Sequence, residues 1–400
     1  MDRSSLTVFH VITQLDRGGS ARNTVLTVMG HDRNRFRVAL VYGRVAERSE
    51  ADEAQLTTDV SELRGVGASL CEVPCLVREI SLLQDVRATW ALWRIFRRER
   101  PDIVHTHTSK AGAVGRVAAW LAAVPVVIHT PHGHIFYGYY GPAISRVIRL
   151  VERLLALITD RIVTLTERGI EEHVRLGIAR ADKFIAIPSG IALSVFQPVH
   201  VNPAQKRREL GLPAEGPIVG TVGRLVPIKG HEWLLKAAPL VLAEFPRAMF
   251  VVLGDGPLMG RLQQVVEELG ITAHVRFLGA RTDVPECLAT FDLFAFPSIN
   301  EGMGRALVEA MAAAVPAVAT RVGGIPDVVV DGETGLLIPA QDEAAMADAL
   351  LKLLRDPARR QEYGRAARRR VDERFDVSTM VTAIDRLYDV VWHEKHPPTG

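Results

Sequence analysis

Two carboxylates and two glycines lie close together in Asn300-Glu301-Gly302-Met303-Gly304-Arg305-Ala306-Leu307-Val308-Glu309-Ala310. The strand-like run DLFAFPS precedes them and the helix-like run ALVEAMAAA follows. This order places Glu301 in a loop and Glu309 one to two turns into a helix. Gly302 and Gly304 let the backbone approach a ligand closely, and a helix N-terminus offers unbonded N–H groups to an anion. The N–H groups at 304–308, including those of Leu307 and Val308, are the expected donors. Carboxylates beside an anion-binding helix end suit a ligand that joins a diphosphate to vicinal hydroxyls. The segment alone also fits a Glu309 that is merely a solvated helix residue.

A second segment, Gly223-Arg224-Leu225-Val226-Pro227-Ile228-Lys229-Gly230, puts two cations on one loop with no acidic residue beside them in sequence. Arg224 and Lys229 make a site for phosphate charge, the Arg by forked hydrogen bonds, or else they are two surface cations. Gly254-Asp255-Gly256-Pro257 reads as turn chemistry, with Pro at the first helical position.

In the first half, Asp16-Arg17-Gly18-Gly19-Ser20 separates a strand from a helix, a spacing also common in plain turns. It is not the GxGxxG of a dinucleotide fold. Ile128-His129-Thr130-Pro131-His132-Gly133-His134 follows an apolar strand. Three histidines so close raise the question of a metal, but no Asp, Glu or Cys cluster accompanies them, and the metal expectation is none. His129 reads as a core-facing strand residue. His105-Thr106-His107-Thr108-Ser109-Lys110 ends another strand, so His107 and Lys110 are candidate phosphate contacts, or Lys110 is a helix-start cation.

All these loops need strands to hold them. Short Val- and Ile-rich runs alternate with helical-period segments throughout: LTVFHVIT, FRVALVY, SLCEV, DIVHTH, VPVVIHT, RIVTLT and KFIAIP, then GPIVGTVGR, AMFVVLGDG, HVRFLG, DLFAFPS, PAVAT and GLLIP. Continuously apolar strands joined by crossover helices make parallel, doubly wound sheets. A Pro-, Ser- and Asn-containing stretch near residue 200 breaks the rhythm. The expected fold is therefore α/β, with two Rossmann-like domains, 1–200 and 201–375, facing across a cleft, and a final helix with tail over 376–400. Ligands bind beyond the carboxyl ends of such strands, where the motifs fall.

The 400 residues carry a net charge of +2, with 48% hydrophobic and 24% charged residues. That excludes a disordered or fibrous chain and gives no reason to expect nucleic acid. Cys71, Cys75 and Cys287 cannot form a disulfide framework and read as packing residues of a reducing, cytoplasmic compartment. No apolar run reaches the roughly 18 residues needed to span a bilayer.

Glu, seven residues, Glu, after a strand and into a helix, resembles the signature of the family 4 retaining glycosyltransferases, which share the GT-B fold (glycosyltransferase group 1). The likeness runs from residue 6 to about 375. It implies that Glu301 meets the donor sugar's hydroxyls and Glu309 the nucleotide ribose, with Gly302, Met303 and Gly304 lining the donor loop. Arg224 and Lys229 would neutralise the leaving diphosphate, Gly18 and Gly19 would lie over the phosphates, His132 would lie near the donor sugar, and Arg281 would stand by the base. It implies retaining transfer from an NDP-sugar, UDP-linked by preference, to a hydroxyl acceptor, as in cell-envelope polysaccharide or glycolipid synthesis. No carboxylate is obviously placed as a covalent nucleophile, and the resemblance implies a front-face route in which the leaving phosphate takes the acceptor's proton. Cationic side chains would do a metal's electrostatic work, and no Asp-x-Asp motif occurs. The final helices would cross back to the N-terminal domain.

Two readings stay beside this one: a sugar-nucleotide 2-epimerase of the same architecture, and a non-catalytic sugar-nucleotide-binding protein. An NAD-dependent oxidoreductase is disfavoured by the missing fingerprint. Residues 1–200 hold 25 Lys and Arg against 20 Asp and Glu. The excess gathers in Trp90-Ala91-Leu92-Trp93-Arg94-Ile95-Phe96-Arg97-Arg98 and in residues 144–153, the latter after the aromatic loop His134–Tyr140. Basic and aromatic surface suits the inner face of an anionic membrane and a lipid-linked acceptor. A crossover helix with its apolar face in the core and its arginines in water gives the same pattern.

Overall fold

The computed structural model describes residues 5–44, 50–133, 136, 140–196 and 202–397. His134, Ile135, Tyr137, Gly138 and Tyr139 of the aromatic loop lie outside them. The chain forms two compact units, Met1–Gly190 with Val377–Gly400, and Ile191–Asp376.

The first unit is built on β1 (Leu6–Ile12), β2 (Phe36–Gly43), β3 (Ser69–Val73), β4 (Ile103–His107), β5 (Val126–Thr130), β6 (Arg161–Thr164) and β7 (Phe184–Ala186). They form one parallel sheet in the order β3-β2-β1-β4-β5-β6-β7. Alternation along the strands feeds two cores, since successive side chains point to opposite faces. Val8, Ile12, Leu40, Ile103 and Ile128 face one way, and Phe9, Val11, Val41, Val104 and Val127 the other. The first face is covered by the helix Gly19–Gly30 and by the last helix, Val377–Lys395, which contributes Met380, Val381, Ile384, Leu387, Tyr388 and Val391 to that core.

The second unit holds β8 (Ile218–Val222), β9 (Met249–Leu253), β10 (Val275–Gly279), β11 (Leu293–Phe296), β12 (Ala317–Thr320) and β13 (Gly335–Ile338). Its parallel sheet runs β10-β9-β8-β11-β12-β13. Every run read as a strand in the sequence is a strand, and both sheets are doubly wound. In each, the order reverses beside the first strand, between β1 and β4 and between β8 and β11. A crevice opens at such a switch point, and α/β proteins bind ligands there.

Candidate functional site

In the second unit the loops after β8, β9, β11 and β12 converge on that switch point. Glycines allow their backbones to touch. A Cβ on Gly254 (φ +141°) would lie 1.9 Å from the Gly223 carbonyl oxygen, and one on Gly230 (φ +65°) would lie 2.1 Å from that of Pro297. Ile299 N–H donates to the Ile228 carbonyl at 2.8 Å, tying the Arg224–Lys229 loop to the Glu301 loop.

Sequence places Lys229 and Glu301 far apart and puts no acidic residue beside the Arg224–Lys229 loop, which predicts two unpaired cations. The fold corrects this: the Lys229 ammonium is ion-paired with Glu301 Oε1. Ser298 Oγ donates to the same oxygen at 3.0 Å, and Thr320 Oγ1 donates to the Ser298 carbonyl at 2.5 Å. Glu301 is thus held from two directions and keeps a second oxygen for a ligand. Gly324 N–H donates to its carbonyl at 3.1 Å. Lys229 also stands 5.7 Å over the Phe296 ring. The exposed Arg224 has no ion-pair partner among the described residues, so its fork is available. His231 is buried against this loop and donates from Nε2 to the Arg224 carbonyl at 3.2 Å. Burial pushes its pKa down to about 4, so it is neutral and acts as a brace.

Gly304 (φ +85°) starts the helix Arg305–Ala312, which has no side-chain cap. The Leu307 and Val308 amides donate to the Gly304 carbonyl, and both side chains are in the core, as is Met303. Glu309 sits in the second turn, where Arg305 Nε donates to its Oε1 at 3.0 Å. Arg281 is forked onto Asp283 at 2.7 Å and 2.7 Å, which raises its own pKa and holds the Asp283 carboxyl far below the usual range. Its guanidinium is therefore already engaged.

In the first unit, Gly18 caps the helix Gly19–Gly30 without a side-chain bond to that helix, and its N–H donates to Asp16 Oδ1 at 2.9 Å. Lys110 is ion-paired with Asp85. His129 is buried in β5 against Thr106 at 2.9 Å. His132 follows β5 in a left-handed backbone (φ +58°), an uncommon state for a residue with a side chain. Its Nε2 is 3.0 Å from Nδ1 of His107, and burial pushes its pKa down to about 3. His129 and His132 bond different partners and do not share a centre.

Sequence reasoning missed His231, Ser298 and Thr320, which orient the Arg224 and Glu301 loops. Only the position of His231 directly after Gly230 offered a signal.

The helix Pro142–Leu157 overturns one expectation. Its apolar stripe, Ile144, Val147, Leu150, Val151, Leu154 and Leu157, is exposed rather than in the core. Leu82, Leu83, Val86 and Trp90 of the helix Leu82–Glu99 are exposed as well, as are Trp120 and Leu121. None of the described helices is long and apolar enough to cross a membrane.

Solved structures share this two-sheet architecture. HepE of Anabaena, in complex with UDP and glucose, superposes with a TM-score of 0.79 at 20% identity, over 96% of this chain and 100% of that one. A sucrose-phosphate synthase from Thermosynechococcus elongatus gives 0.80 at 23%, over 97% and 100%. The fold is GT-B. A family model for glycosyl transferases group 1 matches residues 203–370, and one for a glycosyl transferase 4-like domain matches residues 18–190. The UDP-Gal:alpha-D-GlcNAc-diphosphoundecaprenol alpha-1,3-galactosyltransferase of Escherichia coli is 31% identical over 79% of this chain and 82% of its own length. The chain belongs to the group 1 glycosyltransferases, of the family 4 type, and is a sugar-transferring enzyme.

Proposed function

We propose that the chain transfers a sugar, with retention, from a UDP-linked donor to a hydroxyl on a lipid-linked acceptor at an anionic membrane surface. The observation that carries this reading is the convergence of Arg224, the Lys229–Glu301 pair, the Gly304-led helix and Glu309 at one switch point. Departure of a diphosphate is the barrier in such a transfer, and preorganised cations lower it. Arg224 and Lys229 take up the growing charge, and Glu301, released by Lys229 or shared with it, accepts sugar hydroxyls. Glu309 receives the ribose. Gly18 and Gly19 are assigned to the phosphates, His132 to the sugar, and the Arg281 loop to the base. No metal is needed where two cations already do this work. The E. coli relative, named for a UDP-galactose donor and a diphosphoundecaprenol acceptor, supports the donor and the lipid. The exposed stripe on the helix Pro142–Leu157, flanked by exposed Arg146 and Arg153, supports a membrane surface: apolar residues enter the headgroup boundary while arginines meet anionic lipid.

A thermal-shift panel with UDP, GDP, ADP and NAD, each with and without EDTA, tests the donor side. Nucleotide at 100 times its dissociation constant stabilises by about 2.7 kcal/mol. The expected result is a shift with UDP that survives EDTA. A shift with NAD alone would sink the reading, and loss of the UDP shift in EDTA would sink its metal-independence. Anomeric NMR of the product tests retention. Accumulation of a C2-epimerised UDP-sugar without transfer would point to the epimerase instead.

A further inference from the structure

The first unit carries a buried run of polar side chains that donor chemistry in the second unit does not use. His10 lies on β1 and His107 on β4, His31 closes the helix Gly19–Gly30, and Asp385 lies on the last helix. His31 Nδ1 meets Asp385 Oδ1, and His31 Nε2 is 2.9 Å from His10 Nε2. His10 Nδ1 is 2.9 Å from His107 Nε2, and His107 Nδ1 is 3.0 Å from His132 Nε2. Both ring nitrogens of His31, His10 and His107 are therefore spent in one continuous line from Asp385 to His132. The line spans more than three hundred and fifty positions of sequence between His31 and Asp385 alone. His10, His31, His107 and Asp385 are each 5% exposed or less.

A carboxylate can only accept, and a neutral imidazole has one donor and one acceptor. With every imidazole of the line neutral, these two facts set the direction of every bond. Asp385 takes the proton of His31 Nδ1, so His31 Nε2 is bare and accepts from His10 Nε2–H. His10 Nδ1 then accepts from His107 Nε2–H, and His107 Nδ1 from His132 Nε2–H. The last free position, His132 Nδ1, is left without a proton. It has no partner among the described residues.

Burial and neighbouring groups keep the His10 and His107 rings neutral. Burial pulls the pKa values of His10 and His107 well down, and the neighbouring imidazoles of His31, His105, His129 and His132 add to this. Arg33 acts on His10 in the same direction and faces Asp385. His105 stands alongside, satisfied by Tyr388 Oη at 2.7 Å and Thr130 Oγ1 at 2.7 Å. Ring nitrogens of His10, His105 and His107 come within 4.8 Å of one another, close enough to suggest metal ligands. A metal there would take one nitrogen from each ring and so break bonds of the His31–His10–His107–His132 line and one of the two hydroxyl bonds of His105, so the hydrogen-bonded reading fits the positions better.

We propose that Asp385, His31, His10 and His107 are positioning residues: one directed relay that locks His132 as its Nε2–H tautomer and presents a bare Nδ1, as acceptor, to a hydroxyl of the donor sugar. The second half of that statement rests on the placing of His132 under the proposed function; the first half does not. In an Asp385→Asn chain the side-chain carbonyl stays toward Asp32 N–H, which contacts Asp385 Oδ2 at 3.4 Å, and the amide NH2 faces His31. Every bond in the line then reverses, and His132 carries its proton on Nδ1.

Long-range 1H–15N NMR of the full chain, labelled at histidine and assigned by single His→Gln variants, reads the tautomers directly. The expected wild-type pattern is Nδ1–H at His31 and Nε2–H at His10, His107 and His132. Nδ1–H at any of the last three in the wild type would overturn the relay, whatever the variants do. In Asp385→Asn the His132 signals should switch to Nδ1–H, and an unswitched His132 in a folded variant would also overturn it. Turnover of the UDP-sugar should fall roughly tenfold in that variant while affinity for UDP alone, which lacks the sugar, stays unchanged. A switched tautomer with full turnover would remove His132 from the sugar and leave the relay standing.

Discussion

The loop clusters at the two switch points handle polarity in opposite ways. In the second unit the functional candidates are ions, half-exposed and cross-linked to one another: Lys229 to Glu301 and Arg305 to Glu309, with Arg224 left free among the described residues. In the first unit they are neutral imidazoles, buried and joined end to end. Under the proposed function the contrast follows from what each would have to do. A leaving diphosphate brings charge that only ions or aligned dipoles can stabilise, and those ions must keep enough water contact to stay charged. A sugar hydroxyl brings no charge, so a group that meets it needs a fixed donor or acceptor sense, which burial and a directed line of hydrogen bonds provide.

The largest expected effect sharpens this comparison through pH. Below pH 6.5 the histidines of the unfolded chain take up protons that the buried His10, His105, His107 and His129 and the half-buried His132 refuse. The unfolded state then binds more protons, so stability falls as pH falls through and below 6.5. In the second unit His231, held to about 4, behaves the same way. Hydrogen exchange at pH 7.5 and 5.5, corrected for intrinsic rates, should show β1, β4 and β5 losing protection before β8 and β11. The reverse order would break the contrast.

Next in size is the loss of a phosphate cation. Arg224→Ala or Lys229→Ala should lower turnover about 10²- to 10³-fold, measured as acceptor-dependent UDP release. Normal turnover in either would take that residue out of the site. Glu309→Gln should weaken UDP binding by roughly ten- to a hundredfold by calorimetry, because a charge-assisted hydrogen bond becomes a neutral one. If UDP affinity holds and only sugar discrimination changes, Glu309 does not meet the ribose. Gly304→Ala forces a Cβ to 2.9 Å from the Phe296 ring at a left-handed φ. A stability loss of about 1–2 kcal/mol is expected by denaturant titration. The smallest effect is at the membrane: Val147→Asp with Leu154→Asp should abolish sedimentation with anionic vesicles and leave UDP affinity as it was.

Much of this was legible in the residues. The strands announced themselves as apolar runs, and the loops after β8 and β11 carried their motifs in contiguous sequence. Three features were not legible, for physical reasons. The Lys229–Glu301 pair is made by bringing the loops after β8 and β11 together, and nothing local to Lys229 signals an acid. The helix Pro142–Leu157 has the same 3.6-residue period whether its apolar stripe faces a core or a membrane; only the packed fold shows the stripe uncovered. The line from Asp385 to His132 needs residues from β1, β4, the loop after β5, one helix end and the last helix, each of which reads alone as an ordinary core polar group.

The return of the chain to the first unit has a consequence for synthesis. The helix Val377–Lys395 fills one face of a sheet whose strands were all made by residue 186, and it brings the carboxylate that orients His31. During translation that face waits, with the helix Gly19–Gly30 over it but not the last helix, while residues 191–376 are added, on the order of 10–40 s at ribosomal rates. The second unit can finish folding first, although it is encoded later. A nascent chain arrested just before Val377 should therefore expose the Val8, Ile12 and Leu40 face to chaperones and proteases, and lose that exposure once the last helix emerges.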